Sequence, residues 1–151
     1  MNINKLFIVV LYKERIEECS TLNSLKKIEL FENPLNTFVI WDNSPDYKNE
    51  NFDYENYFHN QNIKYVHTSE NVSLAKIYNT CIRETYADLI IIFDQDSEIT
   101  RNDYDLYLDK ILLNNKETNI FLPQIFSNSE MYSPGRLFIC KGFHYKKILR
   151  E

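Results

Sequence analysis

Two aspartates two residues apart, Asp94 and Asp96, close an apolar run in Phe93-Asp94-Gln95-Asp96-Ser97. On a backbone that stays extended, residues i and i+2 face the same way, so both carboxylates would share one side. Two carboxylates held that close repel each other when both are charged. A divalent cation removes the repulsion. Hard oxygen ligands suit Mg²⁺ or Mn²⁺, which keep several positions for water and phosphate oxygens. The pattern is then a metal–diphosphate site. The same residues also suit a solvated turn whose aspartates cap the next segment, and Asp-x-Asp alone does not choose between the two. A second polar cluster follows an apolar run at Trp41-Asp42-Asn43-Ser44-Pro45 and carries a turn signal.

The elements that must position these groups can be read from periodicity. Leu6–Leu11 is a continuous run of apolar residues, the pattern of a strand buried on both faces. Glu17–Phe31 has Leu22, Leu25, Ile28 and Phe31 at helical spacing, and Asn33-Pro34 stops it. Thr37–Trp41 is the second strand, and Ile63–His67 alternates weakly as a third. Between them, Asp46–Asn62 is polar and aromatic and reads as loop with a short helix. Ser73–Tyr86 carries the clearest helical stripe, from Leu74, Ile77, Tyr78, Cys81, Ile82 and Thr85, with Ser73 as N-cap. Asp88–Phe93 is a fourth strand, apolar throughout. Asn102–Asn114 is a helix and Asn119–Leu122 a short strand. Tyr132–Arg136 is a turn, and Leu137–Cys140 a further short strand. This alternation predicts an α/β doubly wound, mostly parallel sheet, in which ligands bind beyond the C-terminal strand ends. Asp42 and the Asp94/Asp96 pair both fall there.

Composition narrows the function classes. The chain has 151 residues, 44% hydrophobic and 15% aromatic, with 2 Gly and 4 Pro, which excludes disorder and flexible-linker classes. Its formal charge of −5 gives no compositional support for nucleic-acid binding. The longest apolar runs fall far short of the roughly 20 residues of a bilayer span, and no secretory signal is recognisable. Cys19, Cys81 and Cys140 are odd in number and widely separated, as expected of buried, neutral thiols in a reducing cytoplasm. His59, His67 and His144 show no ligand spacing. Tyr47, Phe52, Tyr54, Tyr57 and Phe58 read as a loop packing its own aromatics. Asn71-Val72-Ser73 matches the glycosylation acceptor pattern by chance in a chain without a secretion signal.

Phe93-Asp94-Gln95-Asp96-Ser97 resembles the Asp-x-Asp motif of family 2 glycosyltransferases with the GT-A fold, in the form common among bacterial rhamnosyltransferase-like members. Other segments resemble the family in the same order. They are Ile8-Val9-Val10-Leu11-Tyr12 on the first strand, Val39-Ile40-Trp41-Asp42-Asn43-Ser44 on the second, and Asn71-Val72-Ser73-Leu74-Ala75-Lys76-Ile77-Tyr78-Asn79. Pro123-Gln124-Ile125 and Ser133-Pro134 resemble elements further along. The resemblance implies a Rossmann-like GT-A nucleotide-binding domain over residues 1–151, truncated after the donor-binding half. It implies a sugar transferred from a UDP- or dTDP-linked donor, dTDP-rhamnose among them, to a growing surface polysaccharide or lipid-linked acceptor.

Residue roles follow from the same resemblance. Asp42 would accept the N3–H of uracil or thymine, its alternative being a turn-forming Asx residue. Asp94 would contact ribose or the metal's water shell, and Asp96 would ligate Mg²⁺ or Mn²⁺. Asn71, Ala75 and Asn79 would line the nucleotide cleft. Tyr12 would pack near the base or join the core, and Lys76 reads as a solvated helix lysine. Ser73 stands where the family usually has Gly, and Gln124 where it has Lys. The acceptor segment and the general base have no match here, so a non-catalytic nucleotide-sugar-binding module is the alternative. The acidic motif is also similar to the nucleophile loop of haloacid-dehalogenase-like phosphatases, which belongs on an early strand with a long catalytic segment after it. The expected location is the cytoplasm, at the inner face of the cell membrane in the peripheral case, and self-association is a further expected partner mode.

Overall fold

The computed structural model describes residues 3–45, 49, 51–59, 62–113, 120, 125–127 and 130–133. It divides into two compact units, residues 1–101 and 102–151.

The first unit is a four-stranded, all-parallel sheet. Its strands are β1 (Lys5–Leu11), β2 (Asn36–Asp42), β3 (Ile63–His67) and β4 (Leu89–Asp94), in the order β3-β2-β1-β4. Helices α1 (Ser20–Lys27), α2 (Tyr54–Phe58) and α3 (Leu74–Glu84) lie in the three crossovers. β1 is central, pairing Ile8 with Val39 of β2 and with Ile92 of β4. Its residues Leu6 to Val9 are at most 1% exposed, as its unbroken apolar run requires. On one face Leu6, Ile8 and Val39 meet Ile77 and Cys81 of α3. On the other, Phe7 stacks on Phe38 at 4.7 Å, and Phe31 bridges Phe38 to Phe58 at 4.3 and 4.5 Å. Phe52 and Tyr57 extend that ring cluster through Phe58, Tyr54 stacks on Tyr65 of β3 at 6.1 Å, and Tyr47 lies outside the described residues.

Three expectations are corrected in the first unit. The helix expected over Glu17–Phe31 is three pieces: a 3₁₀ turn at Ile16–Glu18, α1, and a second 3₁₀ turn at Leu30–Glu32. Cys19 is extended between the first two, and Glu29 adopts a left-handed conformation (φ 59°) between the last two. β4, apolar throughout, carries exposed side chains on one face. Ile90 and Ile92 are 38% and 44% exposed, and the outer members of the α3 stripe, Leu74 and Ile82, are exposed as well. Ser73 does cap α3, accepting from the Lys76 amide.

Among the described residues, the second unit holds the body of α4 (Arg101–Leu113) and an antiparallel hairpin of β5 (Ile125–Ser127) and β6 (Glu130–Ser133). Tyr132 and Ser133, expected in a turn, are therefore strand residues. The strand expected at Asn119–Leu122 falls outside the described residues apart from Ile120, and that at Leu137–Cys140 does so entirely. Among the described residues no helix is long and apolar enough to cross a membrane.

Candidate functional site

The chain runs outward from β1 to β2 and β3, then returns to place β4 on the opposite side of β1. In a parallel sheet such a reversal opens a crevice at the C-terminal strand ends, because successive crossovers leave on opposite faces. The crevice is present. Val10 of β1 and Tyr12 just after it line the crevice, with Asn43 just past the end of β2, Asp94 at the end of β4 and Gln95 just beyond it. Asn71, Val72, Ser73 and Leu74 close it at the start of α3. Tyr12 is 43% exposed, so it belongs to the cleft and not to the core.

The end of β2 forms a wall of satisfied polar groups. Asp42 is fully buried. Its Oδ1 accepts from the Ser44 amide at 3.1 Å, and its Oδ2 accepts from the Tyr65 hydroxyl at 2.7 Å and Asn49 Nδ2 at 3.0 Å. Burial, then the hydrogen bond to Asp42, pushes the Tyr65 phenol up to about 12, so it stays a donor. Asp42 thus has an Asx-turn bond and two side-chain donors, and its neighbour Asn43 is the residue that lines the cleft. The Asn43 amide grips the next loop: Oδ1 accepts from the Val72 amide at 2.8 Å, while Nδ2 donates to Val72 O at 2.8 Å and Asn71 Oδ1 at 2.9 Å. Ser44 Oγ accepts from the Lys13 amide, fixing the β1 loop where Lys13 is left-handed (φ 55°).

At α3, Ser73 has φ −61° and ψ 140°, ordinary extended backbone for any L-residue. Serine in place of glycine therefore carries no backbone penalty here. Asn71, Ala75, Lys76 and Asn79 are all exposed. Of these, Asn71 reaches the cleft lining, while Ala75 and Asn79 do not.

β4 ends at Asp94, and the chain turns at once, the Ser97 amide lying 3.3 Å from Asp94 O. The extended backbone that would align the two aspartates stops there, so the turn decides where Asp96 points. Asp94 lines the cleft, and its charge adds to burial in raising the Tyr78 phenol. Asp96 lies outside that lining. Burial, then the charges of Asp96 and Glu18, pushes the Glu14 carboxyl above its ordinary value, so Asp96 projects its field toward the β1 loop.

Asp94 and Asp96 are both exposed, and among the described residues neither forms an ion pair. Among the described residues no cluster of three or more His, Cys, Asp or Glu side chains could hold a metal. This sparse set of hard oxygens fits Mg²⁺ or Mn²⁺, which take one or two carboxylates and fill the remaining positions with water and phosphate. It does not fit a structural zinc, which needs four protein ligands. Cys19 and Cys81 are buried, with burial pushing the Cys19 thiol up to about 11; Cys140 lies outside the described residues.

Sequence reasoning gave no role to Asn43, Ser44, Gln95 or Thr21, all of which shape this site. Asn43-Ser44 directly after an apolar strand carries a turn signal; Thr21 carries none, since its partners lie at Asp94 and Ser97.

Comparison with curated proteins gives no match. The family model described as Glycosyl transferase family 2 matches residues 7–148, nearly the whole sequence. That match and the Rossmann-like parallel sheet with its cleft agree: the chain belongs to glycosyl transferase family 2 and has the α/β architecture of a GT-A domain.

Proposed function

We propose that this chain binds a nucleotide-diphosphate sugar in the switch-point cleft and passes the sugar to a surface polysaccharide or lipid-linked acceptor. The supporting observation is the pair Asp94 and Asp96, exposed and outside any ion pair among the described residues, at the exit of β4. Bound Mg²⁺ or Mn²⁺ supplies Lewis-acid stabilisation of the departing diphosphate. In this reading Asp96 holds the metal, Asp94 holds the metal's water shell or the ribose, and Tyr12 flanks the base. Asn71 forms the α3 side, with Ala75 and Asn79 further along, on the helix itself and outside the cleft lining. Asp42 takes the N3–H of uracil or thymine once Asn49 yields its place on Oδ2. The donor is UDP- or dTDP-linked, with dTDP-rhamnose among the sugars, and the site of action is the cytoplasmic face of the membrane.

A second reading is a nucleotide-sugar-binding module without catalysis. Among the described residues that line the cleft, Asp94 is the one carboxylate, and a general base must reach the acceptor hydroxyl. Titration calorimetry of the 151-residue chain with UDP and with dTDP, with and without Mn²⁺, tests the common core of both readings. Metal-dependent binding that is lost in Asp96→Ala is expected. Binding that is absent, or indifferent to Mn²⁺ and to Asp96→Ala, overturns both. Turnover of a sugar nucleotide by the same chain eliminates the second.

A further inference from the structure

The turn that carries Asp96 is fastened from beneath by the start of α1. Thr21 has no exposed surface. Its Oγ1 accepts from the Ser97 amide at 2.9 Å, and its single hydroxyl proton is directed at the carbonyls of Asp94 and, at 3.0 Å, Ser97. The Thr21 amide donates to Gln95 O at 3.2 Å, and the buried Cys19 thiol donates to the same oxygen at 3.2 Å. The Gln95 side chain in turn accepts from the Tyr12 amide at 2.7 Å. Thr21 therefore binds the backbone on both sides of Asp96 and ties the turn to the β1 loop through Gln95. A buried hydroxyl that accepts from one amide and shares its single proton between two carbonyls is confined to a narrow range of orientations, which makes the turn a fixed object.

We propose that Thr21 is a positioning residue: by fixing the Asp94–Ser97 turn it sets the direction in which Asp96 leaves the sheet, and so controls divalent-cation and diphosphate affinity without touching either ligand. This rests on the donor-site reading above. Groups that orient a metal-binding carboxylate from behind typically change metal affinity by about 10- to 100-fold when removed.

The test compares Thr21→Val, which keeps the shape and removes the hydroxyl, with Thr21→Ser, which restores it. Calorimetry with UDP and Mn²⁺ is paired with NMR amide exchange on the 151-residue chain without ligand. Thr21→Val should weaken Mn²⁺-dependent UDP binding about 10- to 100-fold and speed exchange of the Ser97 amide, leaving β1 and β2 amides protected. Thr21→Ser should restore both. If Thr21→Val does not fold, Thr21→Ala, with no branched methyl against the carbonyls, takes its place. Wild-type affinity in a folded Val or Ala variant overturns the proposal, as does unchanged Ser97 exchange. If the wild-type chain binds no UDP with Mn²⁺, the donor-site reading fails by itself. The fastening role is then judged on Ser97 exchange alone: faster in Val and restored in Ser supports it, unchanged overturns it.

Discussion

Replacing Asn43 by alanine removes the clasp between the end of β2 and the loop that begins α3. Asn43 is 4% exposed and forms two bonds of 2.8 Å to the Val72 backbone, one in each direction, as a neighbouring strand would. Its further contacts, with Asn71 Oδ1 at 2.9 Å and with the Thr68 hydroxyl at 3.3 Å, add less, because Asn71 is exposed and the second bond is long. Neutral hydrogen bonds of this kind contribute about 1 kcal/mol each, and leaving a buried partner unpaired costs about 1–3 kcal/mol. Val72 borders the open cleft, so water reaches its freed amide and carbonyl, which keeps the penalty low. The expected loss is about 2 kcal/mol, on the order of a thirtyfold shift in the unfolding equilibrium. Urea denaturation of the 151-residue chain should show a lower midpoint with unchanged slope, and the Val72 amide should exchange faster than its neighbours in α3. A loss under about 0.5 kcal/mol with Val72 still protected would refute the assignment of this bonding to Asn43.

Two further outcomes follow from the same wall and from α1. Tyr65→Phe should cost about 1–2 kcal/mol at neutral pH by removing a donor to the buried Asp42 carboxylate. The folded state raises the Tyr65 phenol from near 10 up to about 12. An unfolded tyrosine releases its proton first, so this contribution is full below pH 10 and lost between pH 10 and about 12. The gap between wild type and Tyr65→Phe should therefore narrow by about 1 kcal/mol across that window, discounted for partial exposure, in denaturation curves taken at stepped pH. Glu29→Gly should stabilise by about 0.5–1 kcal/mol, since Glu29 holds the left-handed position after α1 that glycine adopts freely. A raised urea midpoint checks it.

Where the sequence was legible, one physical cause was at work. β1 is central in a parallel sheet, so both its faces must be apolar, and Leu6–Leu11 shows that directly. The α3 stripe was legible for Ile77 and Cys81, but not for how far the sheet extends beneath them. Leu74, Ile82, Ile90 and Ile92 are as apolar as their buried neighbours, and which of them is covered depends on strand order, a property no single segment carries. The acidic strand ends were legible as locations. Their orientations were not: Asp42 is turned inward by Tyr65, which comes from a different strand, and the direction of Asp96 is set through Thr21, far away in sequence. The break at Glu29 was hidden because a left-handed glutamate gives no compositional mark where a glycine would.

The central place of β1 also has a temporal side. Within this sheet β1 is made first and is the last strand to have both neighbours, since the Asn4 amide waits for Asp88, 84 residues later, to reach its carboxylate. At translation rates of about 5–20 residues per second, that interval is on the order of ten seconds. During it, β1 can pair with β2 along one side while its other side, destined for β4, stays open. Closure of this sheet thus waits on a pairing of long sequence separation, the kind that loop-closure entropy makes slow to form.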